Sequence, residues 1–243
     1  MSIMPTIGHL KPEEAVRIGQ LVYRNECGSQ EKYLVHWNVG EEFMSLGLGH
    51  FIWYPAGIEK TFSEIFPQLL SLFVERCIAL PEWLTPETPA PWSDINAFKS
   101  DVDSDKYNDL LKLMRRSFDT QVEFMCRRFA NLSPEIIAAA DSPEKICKLI
   151  STIAAIPGGM YLLIDYLNFK GPGLSVSERY AGQGWGLLQV LEEMRGDSPK
   201  DFADAAAAVL KRRIDNSPPE RGEERWLPGW LNRIDTYRTF TSV

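Results

Sequence analysis

Glu26 is the residue whose type and setting first suggest chemistry. It lies four residues after Val22 in a stretch where Ala15, Ile18 and Val22 recur at helical spacing, so on a helix its carboxyl falls on the apolar, inward face. An acid pressed against apolar neighbours keeps its proton to a higher pH than one in water, and such an acid can protonate a leaving oxygen. Downstream, Ser45-Leu46-Gly47-Leu48-Gly49-His50 runs into Phe51-Ile52-Trp53-Tyr54-Pro55. A carboxylate at a helix end, followed by a glycine-rich and aromatic-rich strand, can form one wall of a glycan-cleaving cleft. Glycoside cleavage takes one acid for the leaving oxygen and a second group to activate water or stabilise the cationic transition state. Sugar rings present flat C–H faces that pack on aromatic side chains, so Trp37, Trp53, Tyr54 and Trp185 are the expected platforms.

The elements that must position these residues read as α+β, predominantly α-helical, with a small β-hairpin near residues 34–54. Lys11-Pro12-Glu13-Glu14 opens a first helix, with proline early and acids in the first turn, and Gly28 is its expected stop. Gly47 and Gly49 mark a turn or a close backbone approach within the strand region. Further helices are predicted at about 61–79, 104–130, 134–156 with an interruption near Ser142-Pro143, 158–169, 185–195 and 199–215. Ser133-Pro134, Ser142-Pro143 and Ser198-Pro199 each read as an N-cap followed by proline at the first helical position. The proline-rich stretch from Pro81 to Trp92 reads as a stiff connection, and Lys170 to Gly186 as a glycine-rich loop. With no repeat and no low-complexity segment, residues 1–243 are expected to form a single domain.

Composition narrows the partners. Hydrophobic residues make up 44% and charged residues 24%, ordinary for a globular protein, and the net charge is −7. No basic patch is available to neutralise phosphates, which argues against nucleic acid and against adsorption to anionic surfaces. The longest apolar run, Leu149 to Ile164, is short and broken by Pro157-Gly158-Gly159, so it reads as a buried helix pair and not a membrane span. Met1 to Leu10 has neither a basic start nor an apolar core of the secretory kind. The compartment is therefore expected to be periplasmic or secreted where a signal has been removed, and cytoplasmic otherwise.

Other motifs carry less. The four cysteines, Cys27, Cys77, Cys126 and Cys147, contain no C-x-x-C pair, so no zinc site is expected. Cys27 stands beside Glu26 as a potential nucleophile, although lone cysteines are mostly small buried hydrophobes. His50 has only His9 and His36 for company, which favours a hydrogen-bonded histidine over a metal ligand. Gly182-x-Gly184-x-Gly186 fails the register of a dinucleotide-binding loop, and Asp101-Val102-Asp103-Ser104-Asp105 lacks the glycine and distal glutamate of a calcium loop. Helix capping by Asp103 or Ser104 is the expected use, and no metal or cofactor is implied.

The segment Arg24 to Tyr54 resembles the phage-type lysozymes and the wider lysozyme-like superfamily. In those enzymes a first helix ends with the catalytic Glu, and a small hairpin follows carrying Thr-x-Gly-x-Gly-His; here the string is Ser45-Leu46-Gly47-Leu48-Gly49-His50. The resemblance implies a general acid at Glu26 and a water-orienting hydroxyl at Ser45. It also implies a β-1,4-linked amino-sugar polymer as partner, peptidoglycan or a chitooligosaccharide, with His50 on the substrate side. The family's second carboxylate stands six residues before the Thr, where this chain has Val39; Glu41 is the nominated substitute, with Glu42, Asp165 and Glu178 also open. Gly186-Leu187-Leu188-Gln189 is similar to the Gly-Leu-Met-Gln string of lytic transglycosylases, although it lies much farther from the acid, and it nominates Gln183 and Gln189 as cleft residues. A single-acid lytic transglycosylase becomes the better reading if no second carboxylate reaches the site. The alternative from another class is a non-catalytic glycan-binding or interaction protein on the same fold, and a wholly helical regulatory protein stands third.

Overall fold

The computed structural model describes residues 12–238. The reading of Met1 to Leu10, and His9 with it, lies outside the described residues. The chain is mostly helical with one small antiparallel sheet, and it divides into two compact units, the first ending at Met125 and the second beginning at Cys126.

The first unit opens with α1 (Pro12–Cys27), whose first turn carries Glu13 and Glu14 and whose last carries Arg24. Gly28 and Ser29 both take left-handed backbone angles and end the helix where glycine predicts a stop. Ile18 and Val22 are buried on one face, and Gly19 lets a neighbour come close, since a Cβ there would sit 2.5 Å from Val122 Cγ2. A 3-10 turn at Glu31–Tyr33 leads into β1 (Val35–His36), β2 (Met44–Leu46) and β3 (Phe51–Trp53). These pair in the order β1-β2-β3, with Val35 opposite Leu46, His36 opposite Ser45, and Ser45 opposite Ile52. Alternation puts Val35, Met44, Leu46, Phe51 and Trp53 on one buried face, and His36, Ser45 and Ile52 on the other.

Four helices complete this unit: α2 (Phe66–Glu75), α3 (Ile95–Ser100), α4 (Asp105–Arg116) and the start of α5 (Phe118–Ala139). Ser104 caps α4 by accepting from the Tyr107 amide at 3.2 Å, and Asp94 caps α3 through the Asn96 and Ala97 amides. The proline-rich connection lies along β3, where Trp53 Nε1 donates to the Thr88 carbonyl and the Ala90 amide to the Tyr54 carbonyl.

The second unit holds the rest of α5, then α6 (Pro143–Ala155), α7 (Gly159–Lys170), α8 (Leu187–Glu193), α9 (Pro199–Asn216) and α10 (Leu227–Arg238). Ser198 and Asp201 form a reciprocal capping box at the start of α9. The expected break at Ser133-Pro134 is absent: α5 runs through Pro134, and the helix boundary falls instead at Ser117, whose hydroxyl donates to the Leu113 carbonyl. Two buried ion pairs tie α10 and its approach to the other helices. Arg233 grips Asp165 with two 2.8 Å bonds, and Arg213 grips Glu223 at 2.7 and 2.9 Å. No helix among the described residues is long and apolar enough to cross a membrane.

Candidate functional site

Glu26 is the penultimate residue of α1, and His50 closes the tight turn between β2 and β3. The turn brings them together: Glu26 Oε2 lies 3.5 Å from His50 Nδ1, with the two side chains 13% and 18% exposed. The other ring nitrogen, Nε2, lies 3.1 Å from the Tyr33 carbonyl oxygen. A carbonyl only accepts, so Nε2 carries the proton in that bond and Nδ1 is the nitrogen that faces the acid. His36 stands beside this pair, its ring 6.5 Å from that of His50 and packed edge-on to Tyr33. Burial, reinforced by the neighbouring His50, holds the His36 imidazole below its ordinary range.

The turn is built for this placement. Gly47 adopts φ +71°, and a Cβ there would meet Gln121 Oε1 at 2.3 Å, so only glycine fits without displacing that side chain. Gln121 is fully buried; its Oε1 accepts from the Leu48 amide at 2.8 Å while its Nε2 donates to the Met114 carbonyl at 2.7 Å. His50 itself takes φ +48°, and its amide donates to the Gly47 carbonyl at 3.2 Å. One buried side chain of α5 therefore fastens the loop that presents His50.

Cys27 lies under the same ring, its Sγ 3.5 Å from His50 Nε2. Thiol, imidazole and carboxylate stand in the order of a nucleophilic triad, but the chemistry fails on three counts. Nε2 already donates to Tyr33, so it has no lone pair to take the thiol proton. The thiol is 1% exposed. Burial, with Glu26 adding to it, pushes its pKa well above the ordinary thiol range. Cys27 is packing beneath the site.

Ser45 is nearly buried on the sheet face that also carries His36. Glu41 is partly exposed in the loop joining β1 to β2, at the end of β2 away from the Gly47–His50 turn, and its carbonyl accepts from Trp37 Nε1 at 2.8 Å. Val39 is 77% exposed.

The nominated sugar platforms need correction. Trp37, Trp53 and Tyr54 are all buried: Trp53 packs on Phe66 with its centroid 4.8 Å away, and Tyr54 accepts from the Phe62 amide through its hydroxyl. A ring with no exposed face cannot stack on a sugar. Trp185 is also buried, with the Arg213 guanidinium 4.1 Å above its ring. Gln189 is spent on its own loop, accepting from the Gly186 amide and donating to the Gly173 carbonyl, and Gln183 is exposed and bridges to Tyr180. Trp185, Gln183 and Gln189 all belong to the second unit. Asp165 is no second carboxylate either, being fully buried and held by Arg233 and Tyr237. The partly exposed rings beside Glu26 and His50 are Tyr33 and His36. Sequence reasoning missed Tyr33, because nothing in its spacing signals that its backbone carbonyl orients a histidine seventeen positions later.

Among the described residues no group of three or more His, Cys, Asp or Glu side chains could hold a metal ion. No family model matches the chain, and neither a curated protein nor a solved structure matches it.

Proposed function

We propose that this chain cleaves a β-1,4-linked amino-sugar polymer, peptidoglycan or a chitooligosaccharide, on a lysozyme-like scaffold with Glu26 as the general acid. The observation that carries the reading is the half-buried carboxyl of Glu26, at a helix end, facing the histidine of a Gly-x-Gly-His turn. A carboxyl so placed has a route to a leaving oxygen on its open side. Ser45, on the sheet face that carries His36, is the group proposed to handle water, and Tyr33 and His36 supply the rings that a sugar can meet. The test is Glu26→Gln, which removes the acid and keeps its shape. Cleavage of cell-wall polymer or chitooligosaccharide should disappear while the melting temperature holds or rises. Wild-type protein inert on every such polymer refutes the reading.

One observation favours a second reading, a glycan-binding protein without turnover. The position where the lysozyme-like pattern sets its second carboxylate is the exposed Val39. Calorimetry that finds chitooligosaccharide binding with no product by chromatography selects it, and absence of binding removes it.

A further inference from the structure

We infer that Glu26 and His50 share one dissociable proton, and that His50 is thereby the positioning residue that decides when Glu26 can act as an acid. The inference deepens the proposed function and rests on it for the catalytic half only. The geometry leaves few arrangements. Nε2–H is committed to the Tyr33 carbonyl, so Nδ1 is fixed toward Glu26 Oε2. With no further proton, a nitrogen lone pair would face an ionised carboxylate across 3.5 Å, an unfavourable approach. One proton removes the conflict, either as imidazolium beside carboxylate or as carboxylic acid beside neutral imidazole.

The surroundings favour one proton over two. Glu26 and Cys27 from α1, His36 from β1 and Tyr33 from the 3-10 turn are among the titratable groups set around the ring, and Lys32 acts on His36. Cys27 is a buried neutral thiol and contributes no charge. His50 is one of the groups that hold the His36 imidazole down, and because that coupling is mutual His36 discourages a second proton on the pair. Two groups coupled this closely titrate as a unit.

A sugar laid over the pair changes which partner holds the proton. Dehydration costs an ion pair more than a neutral pair, so covering the site drives the proton from His50 Nδ1 to Glu26 Oε2, where it is needed. Nε2–H stays on Tyr33 throughout. Glu26 then passes the proton to the glycosidic oxygen as its bond to the anomeric carbon breaks. The water that adds to that carbon releases one proton, which restores the pair.

The experiment has two readouts that fail separately. The first needs no substrate: titrate the His50 ring by nitrogen NMR in wild type and in Glu26→Gln. Sharing predicts that His50 keeps its second proton to higher pH in wild type, by about one unit or more, and that the remaining proton sits on Nε2 at high pH. An identical midpoint in both proteins overturns the inference. The second is the pH–rate profile of cleavage for wild type and His50→Asn, since asparagine tolerates the left-handed backbone at position 50. The alkaline limb should move acidward by about two units, the gap between an ordinary imidazole and an ordinary carboxyl. A lower rate with an unmoved limb makes His50 merely structural and overturns its positioning role. A coupled NMR titration in a protein that cleaves no glycan supports the shared proton and refutes the glycan reading alone.

Discussion

Gln121→Met isolates the bond that fastens the β2–β3 turn. Methionine matches glutamine in length and suits a fully buried position, so packing is retained while the polar contacts are lost. The buried Leu48 amide, which donates to Oε1 at 2.8 Å, is then stranded, and the Met114 carbonyl loses its 2.7 Å bond from Nε2 and keeps only the Ser117 hydroxyl at 3.5 Å. Each unsatisfied buried group costs about 1–3 kcal/mol, and the added apolar burial returns about 1 kcal/mol. The expected loss is therefore about 3 kcal/mol, read as a lower urea midpoint at constant slope, with faster hydrogen exchange at the Leu48 amide. Gly47→Ala supplies the cross-check. Its Cβ would collide with Gln121 Oε1 and come within 3.2 Å of the flexible Met114 Sδ, so in a Gln121→Ala background it should cost little beyond the left-handed backbone term of about 1 kcal/mol. An unchanged midpoint in Gln121→Met, or strict additivity of the two alanine changes, would refute the claim that this side chain pins the turn.

Two further outcomes follow from buried groups. Burial alone would push the Glu223 carboxyl up, but Arg213, helped by Tyr180 and Arg221, outweighs it and holds the group at about 2, below its ordinary 4.5. A depressed carboxyl contributes stability above its ordinary value and loses it as pH falls, so about 3 kcal/mol should vanish between pH 4.5 and 2; Glu223→Gln should flatten that acid limb in denaturant titrations. For the cysteines, iodoacetamide under native conditions should label the exposed Cys77 and spare the buried Cys27. Under the proposed glycan reading, Cys27→Ala should leave cleavage essentially unchanged, whereas loss of turnover would restore the thiol to the chemistry.

The parts of the molecule that sequence made legible are those set by local rules. Helical spacing of Ile18 and Val22 places Glu26 on the inward face, and a Gly-x-Gly turn between apolar strands places His50 at a hairpin tip; both hold in the structure. Ser104 and Ser198 cap helices where their position before a helical run suggests. What sequence could not give is burial of aromatics. Trp37, Trp53 and Tyr54 look the same whether they line a cleft or fill a core, and the Thr88 carbonyl that takes up the Trp53 indole lies thirty-five positions away. Pro134 misled for a related reason: a serine–proline pair reads as a cap, but tertiary packing carries α5 straight through it, and Ser133 turns its hydroxyl back to the Ala130 carbonyl. The 3-10 turn that supplies the Tyr33 carbonyl has no pattern at all.

The same comparison explains why the acid and its histidine are better defined than anything proposed to bind around them. Each is fixed by backbone: Glu26 by the last turn of a helix that Gly28 ends, and His50 by a two-glycine turn whose amide is clamped from α5. A group fixed by backbone at both ends needs no side-chain packing to be aimed, and it keeps its aim when neighbouring side chains change. The proposed substrate contacts have no such anchor, because Trp37, Trp53 and Tyr54 are consumed in the core and the partly exposed rings beside His50, those of Tyr33 and His36, pack on each other. Under the proposed glycan reading, selectivity for one polymer over another should therefore respond to changes at Tyr33 and His36, while replacement of the buried tryptophans should chiefly cost stability.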